Sequence, residues 1–203
     1  MPTTPNLQFE ESLSGLIAGV DEAGVGPLAG PVVAGAVILN RKNIPTGIND
    51  SKKLTVPARE KLFAEISRTA IHIGVGIASV EEIDAMNIFH ASRKAMVRAV
   101  ENLGVAPDHV LMDGHLPPKF LCPVTAIIGG DGISLSIAAA SIIAKVTRDR
   151  IMAGLHAEFP VYGWLKNQGY PTAAHRAMLE AHGITIHHRR SFNLCKQQEL
   201  KVG

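Results

Sequence analysis

Cysteine is almost missing from this chain of 203 residues, where Cys122 and Cys195 are the only two. Two thiols cannot build a disulfide framework or a cysteine-ligated metal site, so they read as reduced thiols of a cytoplasmic protein. Aromatic residues are scarce too, at 4%, although 46% hydrophobic residues leave ample material for a core. No apolar run approaches the roughly 18 residues of a membrane span, which speaks against a membrane partner. The opening MPTTPNLQFEESLSG is polar and acidic, unlike a secretory signal. Internal repeats and low-complexity segments are lacking, and the length suits one compact domain with an appended subdomain.

Charge of one sign is not in overall excess, but the net +2 hides an asymmetry. Residues 1–144 carry 11 Lys+Arg against 14 Asp+Glu, whereas residues 145–203 carry 9 against 4 and hold five of the nine histidines. An acidic body beside a basic C-terminal region fits a metal site next to a polyanion-binding surface; ordinary surface charge is the plainer reading.

Hydrophobic patterning predicts an α/β fold. LSGLIAGVD, PVVAGAVIL and IHIGVGIAS read as three early strands. RKNIPTGINDSKKL is a polar loop. PAREKLFAEISRT opens with a proline suited to a first helical turn and puts Leu62, Phe63 and Ile66 on one face. Glu81 to Leu103 is a second helix with Met96, Val97 and Val100 inward. HVLMDG and LCPVTAII are further strands, the latter closing on Gly129-Gly130-Asp131. SLSIAAASIIAKVTRDRIMAGLHAEF is the longest helical pattern, its small residues allowing close packing on a sheet, and short helices and loops follow Pro160.

The stretch VDEAGVGPLAGP holds two conflicting signals. Gly24, Gly26 and Ala29 match the spacing that cradles a dinucleotide pyrophosphate, yet Asp21 and Glu22 stand directly before them. A dinucleotide site needs the glycine turn to open a helix, and here a strand pattern follows instead. The carboxylates also repel a pyrophosphate. Metal binding explains more: Asp21, Asp113 and Asp131 each follow an apolar strand pattern beside glycine, and strand ends of one polarity gather at one sheet edge. At ~4 Å and an effective dielectric near 20, each like-charge pair costs about 4 kcal/mol, so such a cluster needs protons or cations. Hard oxygen ligands select Mg²⁺ or Mn²⁺. Alternation along a strand should send Asp21 and Glu22 to opposite faces, unless the glycines that follow bend the chain.

VDEAG at 20–24, NDSKKL at 49–54, MDG at 112–114, GGD at 129–131 with SLSIAAASIIAKVTRDR behind it, GYPT at 169–172 and HHRRSF at 187–192 together resemble the motifs of ribonuclease HII. The resemblance implies a ribonuclease H-like fold: a five-stranded mixed sheet flanked by helices, with a C-terminal helical extension. Residues 1–14 read as a flexible tail, and the resemblance implies a catalytic domain over 15–159 and an extension over 160–203 that contributes to substrate binding. The implied activity is endonucleolytic, on the RNA strand of RNA–DNA hybrids and 5′ of a lone ribonucleotide in duplex DNA; nothing in the chain demands a partner subunit, so a monomer is expected. The family's acids fall on Asp21, Glu22, Asp113 and Asp131, as catalytic residues and ligands of two Mn²⁺ or Mg²⁺ ions. Two such ions roughly 3.5–4 Å apart activate the attacking water and stabilise the leaving 3′ oxygen, giving 5′-phosphate and 3′-hydroxyl ends. Substrate contacts are implied at Gly24, Val25, Gly26, Ser51, Lys52 and Tyr170; the glycine backbone and the tyrosine hydroxyl sense the ribose 2′-hydroxyl.

Three positions depart from the family pattern: Val25 replaces an arginine between glycines, Gln168 a lysine before GYPT, and Ile133 a basic residue after GGD. Asn193-Leu194 stands where a proline is usual. All four acids remain, so the expectation is a working enzyme with weaker substrate binding; the alternatives are a catalytically weak or inactive nucleic-acid-binding member of the same fold, and a dinucleotide-dependent oxidoreductase. Lys52, Lys53, Arg189 and Arg190 read as phosphate contacts or as surface charge, His187 and His188 as surface histidines, and Trp164 and Phe192 as packing residues.

Overall fold

A computed structural model describes residues 4–194. Its elements are helix α1 (Gln8–Glu11), strands β1 (Ile17–Ala23) and β2 (Val32–Ile38), helix α2 (Val56–Thr69), strand β3 (His72–Ala78) and helix α3 (Val80–Glu101). Strands β4 (His109–Asp113) and β5 (Val124–Ile127) follow, then helices α4 (Leu135–Glu158), α5 (Trp164–Asn167) and α6 (Ala173–His182). The five strands form one mixed sheet in the order β3-β2-β1-β4-β5. The β1–β2 and β2–β3 pairs are antiparallel, and β1–β4 and β4–β5 are parallel. The five-stranded mixed sheet expected from the sequence is present.

Glycines in the strands set how closely the helices approach. A Cβ at Gly74 or Gly76 of β3 would collide with the backbone of α3 at Ala99 and Ala95, and one at Gly19 of β1 with α4 at Ser136. One face of the sheet packs Val20, Val32 and Met112 against the small stripe Ala91, Ala95 and Ala99 of α3. The other packs Val37 against Ile142 and Ile143 of α4, with Leu62 and Ile66 of α2. On α3 the inward stripe is therefore these alanines with Met96; Val97 and Val100 are half-buried at its flank. Direct backbone approach onto glycine favours alanine over the larger valines. The helix is also broken at Asn87, whose φ of 65° interrupts it and whose Oδ1 accepts from His90 N at 3.2 Å, starting a new helical segment.

Two further expectations are corrected. The N-terminal stretch read as a flexible tail contains α1, where Glu10 is buried and its Oε1 accepts from Ser134 Oγ at 2.6 Å and Ser136 N at 2.9 Å. A carboxylate is stabilised at that N-terminus of α4 by the free amides and the helix dipole. LCPVTAII is strand only over Val124–Ile127, because Leu121 stands fully in solvent ahead of it. Among the described residues no helix is long and apolar enough to cross a membrane. Beyond α4, Tyr162, Trp164 and Leu179 pack on Leu28, Ala29 and Met152, seating the C-terminal segment against the loop that joins β1 to β2.

Candidate active site

The parallel arrangement of β1, β4 and β5 puts their C-terminal ends on one edge of the sheet. Val20 pairs with Met112, so Asp21 and Asp113 come one step later on adjacent strands. Beyond β5, the chain turns through a left-handed Gly129 (φ 66°) into a single 3₁₀ turn, Gly130–Gly132, that carries Asp131. The amide of Gly130 donates to Asp113 Oδ1 at 2.7 Å and locks this turn to β4. Carboxylate oxygens of Asp21, Asp113 and Asp131 all lie within 4.8 Å of one another.

This is a costly arrangement without a cation. Burial pushes the Asp21 carboxyl well above the ordinary carboxylate range, and the charges of Glu22, Asp113 and Asp131 push it further. Asp131 is raised by burial, then by Asp113 and Asp50. Glu22 is raised to about 7, by burial first and Asp113 second, against the lowering influence of Arg93 and Lys52. Lys52 shows the converse: burial pulls it down, but Asp21, Asp131, Asp50 and Asp113 outweigh this and hold it above its ordinary value. Carboxylates forced to share protons in this way suit a divalent cation.

Glu22 is the one expected ligand outside the three-acid cluster. Strand β1 continues regularly through it to Ala23, and its amide donates to Asp21 Oδ1 at 2.7 Å. It still belongs to the same field through Asp113. Arg93 of α3, not anticipated from the sequence, faces Glu22 electrostatically while donating to the carbonyls of Leu116 and His115 at 2.9 Å each.

The expected substrate residues divide into two groups. Gly26, Val25 and Tyr170 are exposed side by side, with Tyr170 Cε1 3.6 Å from where a Cβ on Gly26 would sit. Gly24 beneath them is buried at φ 97°, a conformation suited to glycine. Lys52 reaches over the acids, 3.6 Å from Asp131 Oδ2. Ser51 is instead buried: its amide donates to Ser141 Oγ at 3.2 Å and its carbonyl accepts from Arg59 at 2.6 Å. It anchors the loop and leaves Lys52 outward. Lys53 lies near Gly132.

Other sequence readings change. Ile133, like Phe9 and Leu13 of the N-terminal segment, packs against the buried cluster of Ile17, Leu111, Ile127 and Ile137, so a hydrophobic residue there has a packing role. His188, read as a surface histidine, and Arg189, read as a phosphate contact or surface charge, are buried at 1% and 0% exposure, whereas Arg190 is exposed. Trp164 is a packing residue with one polar duty: its Nε1 donates to His175 Nε2 at 3.1 Å. The glycine turn leads into β2, not a helix, which removes the dinucleotide reading. Cys195 and the residues after it lie outside the described residues. What sequence reasoning missed is a set of buried polar residues: Arg148, Arg59, His175 and Ser141. Arg148 had a visible signal, since it falls four residues after Ala144 and four before Met152 on the buried face of α4.

The family described as Ribonuclease HII matches residues 18–195. The chain is 59% identical over 184 residues to "Ribonuclease HII" of Magnetococcus marinus, covering 89% of this chain and 86% of that one. Among solved structures, ribonuclease H2 from Pyrococcus horikoshii OT3 superposes with a TM-score of 0.75 at 31% identity, over 88% of this chain and 94% of that one. The fold is shared with Bst-RNase HIII in complex with Mn²⁺, at a TM-score of 0.75 and 20% identity, over 94% of this chain and 71% of that one.

Proposed function

The chain belongs to the ribonuclease HII family, a group of metal-dependent hydrolytic nucleases with ribonuclease H activity, and from that premise we propose that it nicks duplex DNA on the 5′ side of a single ribonucleotide as well as cutting longer RNA–DNA hybrids. The observation that carries this reading is the convergence of Asp21, Asp113 and Asp131 oxygens within 4.8 Å at the C-terminal edge of the sheet. Three buried or half-buried carboxylates, of which Asp21 and Asp131 have raised proton affinity, fit divalent cations, and their hard oxygens favour Mn²⁺ or Mg²⁺. Bound there, two such ions would acidify a water and take up charge on the departing oxygen.

The chain's own residues divide the remaining work. Asp21, more deeply buried than Asp131, would be the acid shared between the ions, with Asp113 and Asp131 supplying further carboxylate oxygens. Glu22, outside the three-acid cluster but in the field of Asp113, would complete the ligand shells with Asp113 and Asp131. Lys52 offers a cation above Asp131 for a substrate phosphate. The exposed amides and ring of Val25, Gly26 and Tyr170 are assigned to the ribose, with the 160–194 segment completing the binding face. The products carry 5′-phosphate and 3′-hydroxyl ends, and the enzyme works as a cytoplasmic monomer.

Incubation with a duplex carrying one ribonucleotide and Mn²⁺ or Mg²⁺ tests this. The expected result is a single nick at the ribonucleotide, abolished by chelator and by Asp113→Asn. Binding without any nick would instead mark a non-catalytic member of the fold.

A further inference from the structure

Two arginines are buried with no carboxylate to pair with. Arg148 of α4 is 1% exposed and Arg189, beyond α6, is 0% exposed. Neither makes an ion pair among the described residues. Their guanidinium groups are directed at backbone carbonyls of the β1–β2 loop and its neighbour. Arg189 donates to Gly24 O at 2.5 Å, Val25 O at 2.9 Å and Gly30 O at 3.0 Å. Arg148 donates to Pro31 O at 3.0 Å, Ala29 O at 3.1 Å and Gln168 O at 3.0 Å. Burial lowers the proton affinity of Arg189 to about 9, with the nearby Arg148 charge adding to it, and that of Arg148 to about 10. Both remain charged at neutral pH. Simple anchoring of a loop does not call for two uncompensated cations, since neutral donors would serve at less desolvation cost.

The peptide plane supplies the reason. In a trans peptide the C=O and the following N–H point in opposite directions. With the carbonyls of Gly24 and Val25 drawn inward to Arg189, the amides of Val25 and Gly26 are turned outward, on the exposed side where Tyr170 stands. Arg148 meanwhile joins that loop, through Ala29 and Pro31, to Gln168 beside Gly169-Tyr170. Backbone bonds from Leu28 N to Gly169 O and from Arg189 N to Leu28 O, each 2.8 Å, complete the tie.

We propose that Arg148 and Arg189 are positioning residues for ribonucleotide recognition: Arg189 presents the Val25 and Gly26 amides to the sugar, and Arg148 fixes their spacing to Tyr170. The proposal rests on the nuclease reading above. It accounts for a turn that keeps its geometry with valine at position 25, because the orientation comes from beneath the loop and not from the side chain of residue 25.

The test uses Arg148→Lys and Arg189→Lys, which keep the charge but cannot span three carbonyls from one nitrogen. Binding to a duplex with one ribonucleotide and to the same duplex in all-deoxy form is measured in chelator, so that nothing is cut. Misplacement of an angstrom costs up to about a hundredfold. The ribo-to-deoxy affinity ratio is expected to fall at least tenfold in each lysine variant, with KM for nicking rising more than kcat falls. A ratio within twofold of wild type in a variant with native circular dichroism overturns the proposal. Val25→Arg, on an exposed side chain, supplies the second arm: the proposal expects the ratio to stay within twofold, and a tenfold gain would show that residue 25 sets the turn. Should neither lysine variant fold, that second arm decides. If the wild type itself makes no nick at the ribonucleotide, the nuclease reading fails and not merely this inference.

Discussion

Asp21 on β1 and Asp113 on β4 bring carboxylate oxygens within 4.8 Å of each other because two parallel strands end side by side. Asp131 completes the group from a 3₁₀ turn that Gly130 fastens to Asp113. The site is thus built into the sheet edge, where side chains are held more rigidly than on a free loop.

Removing one acid should separate activity from stability. Asp113→Asn is expected to cut the nicking rate by about a hundredfold or more while raising the melting temperature of the metal-free protein, since it relieves like-charge repulsion. Kinetics and thermal melting in chelator check both halves. A variant with lower stability and intact activity would contradict the assignment.

Metal affinity should depend on pH in a defined direction. Glu22 is raised to about 7, and Asp21 and Asp131 are raised as well, so cation binding must displace protons over that range. Without metal, the folded protein binds more protons at Glu22 than the unfolded chain between about 4.5 and 7, and Asp21 and Asp131 act in the same direction. Their contribution to stability is therefore present at low pH and is lost as pH rises through 7. Calorimetric titration of Mn²⁺ at pH 6 and 8 should show tighter binding and less proton release at the higher pH.

The C-terminal segment should respond in the opposite sense. His175 Nδ1 lies 3.0 Å from Tyr170 O, and its Nε2 lies 3.1 Å from both Trp164 Nε1 and His188 Nε2. His188 Nδ1 accepts from Thr185 N at 2.9 Å. Since a carbonyl only accepts and an amide only donates, both rings are neutral, with His188 Nε2–H donating to His175. Burial, then the neighbouring histidines, lower His188 to about 4. The unfolded chain thus takes up its proton first, and stability falls as pH drops from about 6.5 towards 4, by up to about 3 kcal/mol. Urea denaturation of wild type and His188→Gln across this range isolates the effect, because glutamine keeps a donor and an acceptor without titrating.

Val25→Arg should tighten binding to duplex nucleic acid and steepen its salt dependence by a slope of about 0.9 for one added phosphate contact. Val25 is 40% exposed, so the longer side chain meets no packing obstacle. Affinity measured between low and moderate salt checks this, and an unchanged slope would refute a phosphate contact at this position.

Packing supplies a control far from the acids. Gly76→Ala would press a Cβ into the α3 backbone at Ala95, costing at the upper end of roughly 1–3 kcal/mol. Nicking activity per folded molecule should remain unchanged.

The sheet and the acids were legible in the sequence because each leaves a local mark: β-branched runs for β1 and β2, and an acid beside glycine after an apolar run. The inward alanines of α3 were not, since their burial depends on Gly74 and Gly76 of another element. Buried cations were hidden for a related reason. Arg189 looks like any surface arginine in HHRRSF until its carbonyl partners, distant along the chain, are in place. Glu22 shows the limit from the other side: it follows Asp21 along β1 and lies outside the three-acid cluster, yet its charge still raises the proton affinity of Asp21.

Crystals soaked in Mn²⁺ and measured at the manganese absorption edge test the metal assignment most directly. Anomalous density coordinated by Asp21, Asp113 and Asp131, and absent in Asp113→Asn, is the predicted result. Full occupancy elsewhere with nothing at these three carboxylates would contradict it.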